Sequence, residues 1–150
     1  MAMSLEIRRM SRVTPDLGEA FGRLLPQLAP GLAAPEAGRL RAMVGDERTA
    51  LFAAVDDGRI VGLLALVWYD VPSGRKVWVE DVVVDARERG RGAGRMLVEA
   101  ALAHARSVGA RSVSLTSNPA RVAAHALYRK CGFEEVETTL FRFDLNKVAL

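Results

Sequence analysis

Short runs of alternating or continuous apolar residues recur along the chain and predict β-strands. The run over residues 60–69 is apolar on both faces, so we expect it near the middle of a sheet, covered on each side. The turn signals Asp57-Gly58 before it and Pro72-Ser73-Gly74 after it predict two antiparallel connections, and hence a three-strand meander. The predicted strands cover residues 5–9, 49–55, 60–69, 76–84, 111–117 and 141–145.

Elsewhere apolar residues recur every three to four positions, which predicts helices. Residues 15–45 show this pattern interrupted by prolines and a glycine, so we expect two short helices with a loop between them. A longer amphipathic helix is expected to open just past Gly94 and to stop at Gly109. The last predicted helix has Asn118 as its N-cap, a proline at its first position, and Gly132 as its C-terminal stop.

The order of these elements predicts a mixed α+β fold. The strand at residues 76–84, the following helix and the strand at 111–117 form a βαβ unit, whose two strands should be parallel. No internal repeat or low-complexity tract interrupts the order, and 150 residues, half of them hydrophobic, match one globular domain. We therefore expect residues 1–150 to form a single domain.

The composition argues against several classes of protein. A single cysteine excludes an internal disulfide and, with only two histidines, leaves no plausible zinc site. The longest apolar run is about half of a membrane span, and residues 1–10 carry charge where a signal peptide is apolar, so a cytoplasmic protein without a membrane segment is expected. The net charge of +3 suits an anionic ligand, but dense basic runs typical of nucleic-acid tails are missing.

Arginine and glycine concentrate at the predicted mouth of the long helix, in the segment Arg89-Gly90-Arg91-Gly92-Ala93-Gly94-Arg95. A helix N-terminus attracts phosphate through unpaired N–H groups, and glycines let the backbone approach closely. A P-loop is excluded because Gly94 is not followed by Lys and Ser or Thr, and a dinucleotide fingerprint fails because Arg95 stands where Gly or Ala is needed. The segment is therefore either another kind of phosphate site or a plain strand-to-helix turn.

Residues 77–133 resemble the core of the GNAT superfamily of acyl-CoA-dependent N-acyltransferases. Arg89, Gly92 and Gly94 match the family's first motif, directly after a strand that ends Glu-Asp-Val-Val-Val-Asp. Its second motif is matched by residues 115–119 followed by 126–133, Ala-Leu-Tyr-Arg-Lys-Cys-Gly-Phe. Two motifs in order, each at a predicted strand–helix junction, make the resemblance specific over more than a third of the chain.

The resemblance implies a central, mostly antiparallel, twisted sheet of six to seven strands, flanked by helices and containing a splayed parallel βαβ unit. It implies an N-acetyltransferase that moves the acetyl group of acetyl-CoA to a primary amine by direct attack in a ternary complex, with no metal. The partners are then acetyl-CoA and an amine-bearing acceptor, without nucleic acid or membrane. Many relatives are dimers, so a homodimer is an assembly to test.

Positions for the cofactor follow from the same resemblance. The strand residues Val82, Val83 and Val84 are assigned to the pantetheine arm, with main-chain contacts expected at Val82 and Val84. The segment 89–95 is assigned to the pyrophosphate. Asn118 stands where relatives often contact the pantetheine or nucleotide, although a role as a helix cap alone stays open.

The reaction needs two proton transfers, and the sequence offers candidates for each. Tyr128 matches the tyrosine that commonly protonates the departing thiolate. An alkylamine is almost wholly protonated at neutral pH, so a base is also needed. Glu80 and Asp81 are both candidates, expected to point to opposite faces of their strand; we choose Glu80 by resemblance, with pairing to an arginine as the alternative for either. A backbone N–H near Val82 would meet the oxyanion.

Other readings stay open or are rejected on chemical grounds. Cys131 is rejected as a covalent nucleophile because a helix C-terminus disfavours a thiolate. His104 and His125 are expected to have packing or surface roles. A non-catalytic acyl-CoA-binding regulatory module is the alternative function, and a basic nucleic-acid-binding domain would rest on the arginines alone.

Overall fold

The structure, a computed structural model, describes residues 4–147. These residues form a four-stranded antiparallel sheet with helices on both faces, and a short 3₁₀ turn at Ala86–Glu88 follows the last strand. The strands are β1 (Leu5–Met10), β2 (Thr49–Asp56), β3 (Arg59–Val71) and β4 (Gly74–Val84), and the helices are α1 (Pro15–Leu28), α2 (Ala37–Gly45), α3 (Ala93–Ser107) and α4 (Val122–Lys130). The predicted mixed α+β fold is confirmed.

The sheet has the order β1-β2-β3-β4, so the predicted meander is present and β3 lies inside the sheet. β2 and β3 meet at a two-residue turn, where Asp57 and Gly58 have φ values of 49° and 80°. Positive φ at both central residues is what a type I′ turn requires, and this turn matches the twist of the flanking strands. The Asp-Gly signal therefore identified the hairpin correctly.

Each face of the sheet has its own hydrophobic core. On one face, residues of β3 such as Leu64 and Leu66 pack with α3 and with Tyr128 of α4. On the other face, Leu63 and Ala65 belong to the cluster that includes residues of α1 and α2. Because β3 contributes to both clusters, both of its faces are apolar, as the sequence pattern predicted.

The two short helices expected over residues 15–45 are α1 and α2. The hydroxyl of Thr14 caps α1 by accepting a hydrogen bond from the Leu17 N–H at 3.3 Å, and Pro15 takes the first helical position. Pro26 lies inside the last turn rather than ending the helix, which stops at Leu28. The chain between the two helices then carries the remaining prolines of this region.

Helix α3 packs closely on the sheet and ends as predicted, since Gly109 has φ of 81° just beyond it. Its buried residues include Leu97 and Val98. A Cβ at Gly62 of β3 would lie 3.1 Å from Leu97 Cδ1 and 3.2 Å from the Val83 carbonyl oxygen. Glycine at this position therefore allows the helix to approach the sheet.

The fifth predicted strand, residues 111–117, is not regular. It meets β4 in one parallel bridge, between Trp78 and Ser114, and in the described residues the pairing goes no further. The parallel direction is as predicted, but the two segments separate instead of forming a ladder. The helix expected from Asn118 is also shorter, because α4 begins at Val122.

The predicted last strand, residues 141–145, is likewise not formed in the part of the chain that the structure describes. Residues 134–147, hereafter the C-terminal tail, contain no regular element apart from a turn near the end. The described sheet thus has four strands and one isolated bridge instead of the six to seven strands implied by the resemblance. Among residues 4–147, none of the helices has both the length and the apolar character to cross a membrane.

Candidate active site

A cleft opens where the segment after Ser114 separates from β4. The Val79 N–H donates to the Ser114 carbonyl at 2.9 Å, and the Ser114 N–H donates to the Val77 carbonyl at 3.0 Å. Beyond these two bonds the walls diverge around a volume of about 310 Å³. The cleft is lined by residues 79–82, by residues 115–118, by Arg121 and Tyr128, and by Leu28, Ala29 and Leu32.

A β-bulge shapes the floor of this cleft. Ala65 pairs with Glu80 and Leu63 pairs with Val83, so Asp81 and Val82 together lie opposite one residue of β3. Asp81 takes up the extra length with φ of 51°, a left-handed conformation that is uncommon outside glycine. Glu80 and Asp81 both line the cleft. The bulge interrupts the strict alternation on which the expectation of opposite faces rested, so alternation no longer assigns their faces.

Glu80 has the electrostatic character of a proton acceptor. Although its side chain is exposed within the cleft, partial loss of water raises the pKa of its carboxyl, and the adjacent charge of Asp81 raises this pKa further. A carboxylate with a raised pKa holds a proton more readily than an ordinary glutamate does. In the described residues, neither Glu80 nor Asp81 forms an ion pair with an arginine.

Tyr128 is held in the cleft by the way in which α4 ends. Gly132 adopts φ of 97°, the Phe133 N–H donates to the Tyr128 carbonyl at 2.9 Å, and the Gly132 N–H donates to the Arg129 carbonyl at 3.0 Å. These bonds define a Schellman motif, which is normally accompanied by an apolar contact between the residues that its longer bond joins. Here that contact is between the rings of Tyr128 and Phe133, whose centroids lie 5.9 Å apart.

The Schellman motif gives a physical reason for the Tyr-x-x-x-Gly-Phe spacing. The glycine supplies the left-handed residue and the phenylalanine packs against the tyrosine. Tyr128 is buried, with only 6% of its surface exposed. Burial raises the pKa of its phenol, and the nearby Arg121 partly opposes this effect. The phenol is therefore protonated at neutral pH, as a proton donor must be.

The glycine segment forms the mouth of α3. Gly90 and Gly92 both have φ of 86°, and Gly92 is the N-cap, with no side chain bonded to the first turn. At Gly94 a Cβ would lie 3.0 Å from Leu127 Cδ2, so the start of α3 packs directly on α4. An uncapped helix N-terminus with an exposed, glycine-rich approach fits the pyrophosphate of coenzyme A.

The arginines of this segment are not equivalent. Arg91 forms ion pairs with Asp56 at 2.7 Å and with Glu88, so it fastens the segment to the β2–β3 hairpin. Arg95 pairs with Glu99 one turn along α3 at 2.8 Å. Arg89 is exposed and makes no ion pair within residues 4–147. Of these three arginines, Arg89 is therefore the one whose charge is not paired with a carboxylate among residues 4–147.

A network from α1 fixes the start of the glycine segment. The Gln27 side-chain oxygen accepts a hydrogen bond from the Ala86 N–H at 2.9 Å. Asp85, buried to 5% exposure, accepts from the Arg87 N–H at 3.1 Å and lies 3.7 Å from the Arg23 guanidinium. The same helix end supplies Leu28 to the cleft. The sequence interpretation missed this network because nothing local marks a glutamine that binds a loop 59 residues away.

The remaining candidates take structural positions. The Asn118 side chain accepts from the Ala120 N–H at 2.9 Å, so it stabilises a turn before α4 instead of capping that helix, and it also lines the cleft. The His125 ring bonds the Asn118 carbonyl at 3.0 Å. His104 packs against Phe52 and Trp68. Burial raises the pKa of the Cys131 thiol, which agrees with its rejection as a nucleophile.

The structure brings part of the predicted set together. Glu80, Asp81, Val82, Asn118 and Tyr128 line one cleft. Val83 turns instead to the core beneath α1 and α2, and the glycine segment forms the adjacent helix mouth. The sequence did not identify several of the cleft residues. Leu28, Ala29 and Leu32 carry no motif and are distant in sequence. Thr116 and Ser117 lie inside the second motif without an assigned role, and Arg121 lies between its two parts.

Comparison with known proteins points to one family. The sequence model of the Acetyltransferase (GNAT) family matches residues 16–133. An aminoglycoside N(6')-acetyltransferase type 1 of Stenotrophomonas maltophilia is 30% identical over 144 residues, covering 92% of this chain and 94% of that protein. A probable glucosamine 6-phosphate N-acetyltransferase 2 of Oryza sativa subsp. japonica is 37% identical over 143 residues, covering 88% and 83%.

A solved structure supports the fold. The aminoglycoside N-acetyltransferase AAC(6')-Iy in complex with CoA superposes with a TM-score of 0.80 and 22% identity, and the match covers 97% of each chain. At this identity the similarity concerns the fold.

Proposed function

Because this chain belongs to the GNAT acetyltransferase family, we propose that it transfers the acetyl group of acetyl-CoA to a primary amine by direct attack in a ternary complex. The observation that carries the proposal is one cleft that Glu80 and Tyr128 both line, where β4 and residues 115–118 separate. The mouth of α3 is where the pyrophosphate would bind. Backbone N–H groups there and the charge of Arg89 would hold it.

The two titratable side chains fit the two proton transfers of the reaction. The amine nitrogen attacks the thioester carbon after giving its proton to Glu80, directly or through water. The carbon–sulfur bond then breaks, and the departing thiolate takes a proton from Tyr128. The amine nitrogen loses its second proton as the amide forms, and this proton restores the Tyr128 phenol through water. The raised pKa of Glu80 suits a proton acceptor. The Tyr128 phenol is protonated at neutral pH and so has a proton to give when the thiolate forms.

The strand backbone completes the proposed site. We assign an N–H near Val82 to the oxyanion, because the bulge changes the regular course of β4 beside the reacting carbon. The backbone of β4 through Val84 lies between the cleft and the mouth of α3, along the path that the pantetheine arm would take. Because Arg91 and Arg95 are ion-paired, we assign them to holding the glycine segment in shape.

The acceptor is best described as a cationic amine. Glu80 and Asp81 give its side of the cleft a negative potential, and Leu28, Ala29 and Leu32 give it an apolar wall. Among the described residues that line the cleft, Arg121 is the only one with a positive charge. A phosphate-bearing acceptor needs more cationic partners than this, so an aminoglycoside fits better than glucosamine 6-phosphate does.

The test is thiol release by the full chain with acetyl-CoA and a panel of amines. Tyr128→Phe should lower kcat about 100-fold or less, because a thiolate is already a tolerable leaving group, and leave the KM for acetyl-CoA unchanged. Tyr69→Phe is the matched control, since Tyr69 is the other of the chain's two tyrosines and lies outside the cleft. Near neutral pH, Glu80→Gln should slow turnover more strongly than Tyr128→Phe does. Glu6→Gln is its control.

Two outcomes would contradict the proposal. Thermal stabilisation by acetyl-CoA without thiol release for any amine would indicate the non-catalytic binding module instead. Unchanged kcat in Tyr128→Phe across a pH series would remove that residue from the reaction.

A further inference from the structure

The Ser117 hydroxyl is a polar group that the proposed reaction leaves unused. Its oxygen is buried, and within residues 4–147 it forms no hydrogen bond. A hydroxyl has one donor site and two acceptor sites, and leaving them unpaired away from water costs free energy. Most buried polar side chains in native proteins have a partner, so this exception requires a physical reason.

The local turn does not use this hydroxyl. The chain turns into α4 directly after Ser117. The Asn118 side chain accepts a hydrogen bond from the Ala120 N–H, and the Asn118 carbonyl accepts one from the Arg121 N–H at 3.0 Å. Helix α4 itself begins at Val122, with the preceding arginine as its N-cap. Neither the turn nor a helix cap therefore accounts for a serine at position 117.

Ser117 lines the cleft at the level of the bulge in β4. The parallel bridge joins Trp78 to Ser114, and counting three residues onward along each segment reaches Asp81 and Ser117. Both of these residues line the cleft. Because parallel extended segments advance by similar distances per residue, Ser117 lies at the depth that the proposed reaction assigns to the thioester.

The burial of the preceding segment indicates which side of the cleft Ser117 belongs to. Burial alternates over residues 113–117, and Ser117 is half-buried like Val113 and Leu115 while the two residues between them are exposed. Val113 and Leu115 pack against the hydrophobic cluster that contains Tyr128. The residues of α1 and α2 pack in the other cluster. Ser117 is therefore on the side of Tyr128, which is the side assigned to the leaving sulfur.

We propose that the Ser117 hydroxyl donates a hydrogen bond to the sulfur of the coenzyme as the thiolate departs, beside the proton donor Tyr128. This inference rests on the proposed transfer from acetyl-CoA. Rotation about the Cα–Cβ bond moves a serine hydroxyl between three staggered positions, so the oxygen can turn from its buried position toward a coenzyme in the cleft. The bond strengthens as negative charge develops on the sulfur. Ser117 keeps its proton throughout.

Binding of CoA and desulfo-CoA to the full chain tests this contact without turnover. The two ligands differ only in the thiol, a large part of which is ionised at about pH 9. The parent should bind CoA more tightly than desulfo-CoA. Ser117→Ala should reduce this preference roughly three- to tenfold and leave the affinity for desulfo-CoA unchanged. Isothermal calorimetry measures both affinities, with Ser114→Ala as the matched control, since the Ser114 side chain is exposed and lies outside the cleft.

Thermal unfolding of the ligand-free chain separates this role from a structural one. A hydroxyl that stabilised the fold would make Ser117→Ala melt at a lower temperature than the parent. A hydroxyl without a partner costs free energy in the folded state, so the melting temperature of Ser117→Ala should be unchanged or higher.

Two donors at one sulfur should partly replace each other. Ser117→Ala should lower kcat roughly three- to tenfold and leave the KM for acetyl-CoA unchanged, because the bond forms fully only as charge develops. In the Tyr128→Phe background the same change should cost a larger factor, since Ser117 is then the remaining donor. Thiol release with the amine panel measures this double-mutant cycle.

Several results would overturn the proposal. One is a Ser117→Ala variant that keeps the parent's preference for CoA, or a Ser114→Ala variant that loses it equally. Others are a lower melting temperature in Ser117→Ala, or equal factors in the two backgrounds of the cycle. A parent that binds the two ligands equally but releases thiol with an amine would overturn this inference and leave the proposed function standing. A parent that binds neither ligand would overturn both.

Discussion

The β1–β4 meander and the C-terminal region, residues 110–147, use similar apolar patterns with opposite results. In the meander each strand pairs with its neighbour in register, and both faces are covered by helices. In the C-terminal region, residues 111–117 contribute one bridge and residues 141–145 contribute no pairing. Alternation of apolar residues specifies a strand only where a partner and a covering layer are available.

The incomplete pairing is also what makes the site. If residues 115–118 continued alongside β4, the cleft between them would close and Glu80 would be separated from Tyr128. The meander supplies a rigid wall, and the C-terminal region supplies a wall that diverges from it. The proposed chemistry lies at the boundary between the two regions.

Truncating one side chain in each region should show the largest contrast between the meander and the C-terminal region, in the free energy of unfolding. Leu66 is fully buried in β3, so Leu66→Ala should lower the free energy of unfolding by about 2–5 kcal/mol through lost burial and a cavity. Phe141→Ala removes a larger side chain that is exposed, and in dilute solution it should change this free energy by less than about 0.5 kcal/mol. Urea unfolding at a concentration where the protein is monomeric measures both.

The contrast would fail if Phe141→Ala cost as much as Leu66→Ala under those conditions. That result would mean that the tail packs on its own sheet.

The turn that holds Tyr128 should give the next largest effect. Gly132→Ala places a Cβ in a left-handed conformation, which costs about 1–2 kcal/mol. Because the strain falls on the motif that positions Tyr128, kcat should decrease more than the KM for acetyl-CoA changes. The matched control is Gly22→Ala in α1, where nothing lies within 4 Å of the new Cβ and the variant should gain about 0.5–1 kcal/mol.

Equal stability losses in the two glycine variants would contradict this account, because they would show that backbone conformation is not what distinguishes the positions. Loss of stability in Gly132→Ala with unchanged kcat would separate the turn from the placement of Tyr128.

Local signals in the sequence predicted much of this molecule. The Asp-Gly turn, the proline-interrupted helices and the glycine stop of α3 are each determined within a few residues, and all are present. The β-bulge at Asp81 was not predictable in this way, since it depends on the register of β4 against β3. The contact of Gln27 with Ala86 and the apolar wall at Leu28 depend on how α1 packs, which no motif encodes.

The contact of Gln27 should have a moderate effect on cofactor binding. Gln27→Met keeps the length of the side chain but removes the oxygen that accepts from the Ala86 N–H. One hydrogen bond contributes about 0.5–1.5 kcal/mol, so the affinity for acetyl-CoA should decrease roughly two- to tenfold as the glycine segment loosens. Isothermal calorimetry measures this, with Leu28→Met on the same helix turn as control. An unchanged affinity would show that Asp85 and its arginines hold the segment without Gln27.

The smallest expected effect is a shift in the pH profile from the two carboxylates of the bulge. Glu80 acts as a base only when ionised, and its raised pKa places the acid limb of kcat/KM above that of an ordinary glutamate. Asp81→Asn removes one of the two causes of the raised pKa, and asparagine tolerates the left-handed backbone at this position. The limb should therefore move to lower pH, so that the variant keeps more of its activity in acid than the parent does.

Asp57→Asn is the control, because Asp57 is the other non-glycine residue with positive φ in the described chain and lies in the β2–β3 turn, outside the cleft. An acid limb that stays in place in Asp81→Asn, or moves equally in both variants, would show that the neighbouring carboxylate does not set the pKa of the base.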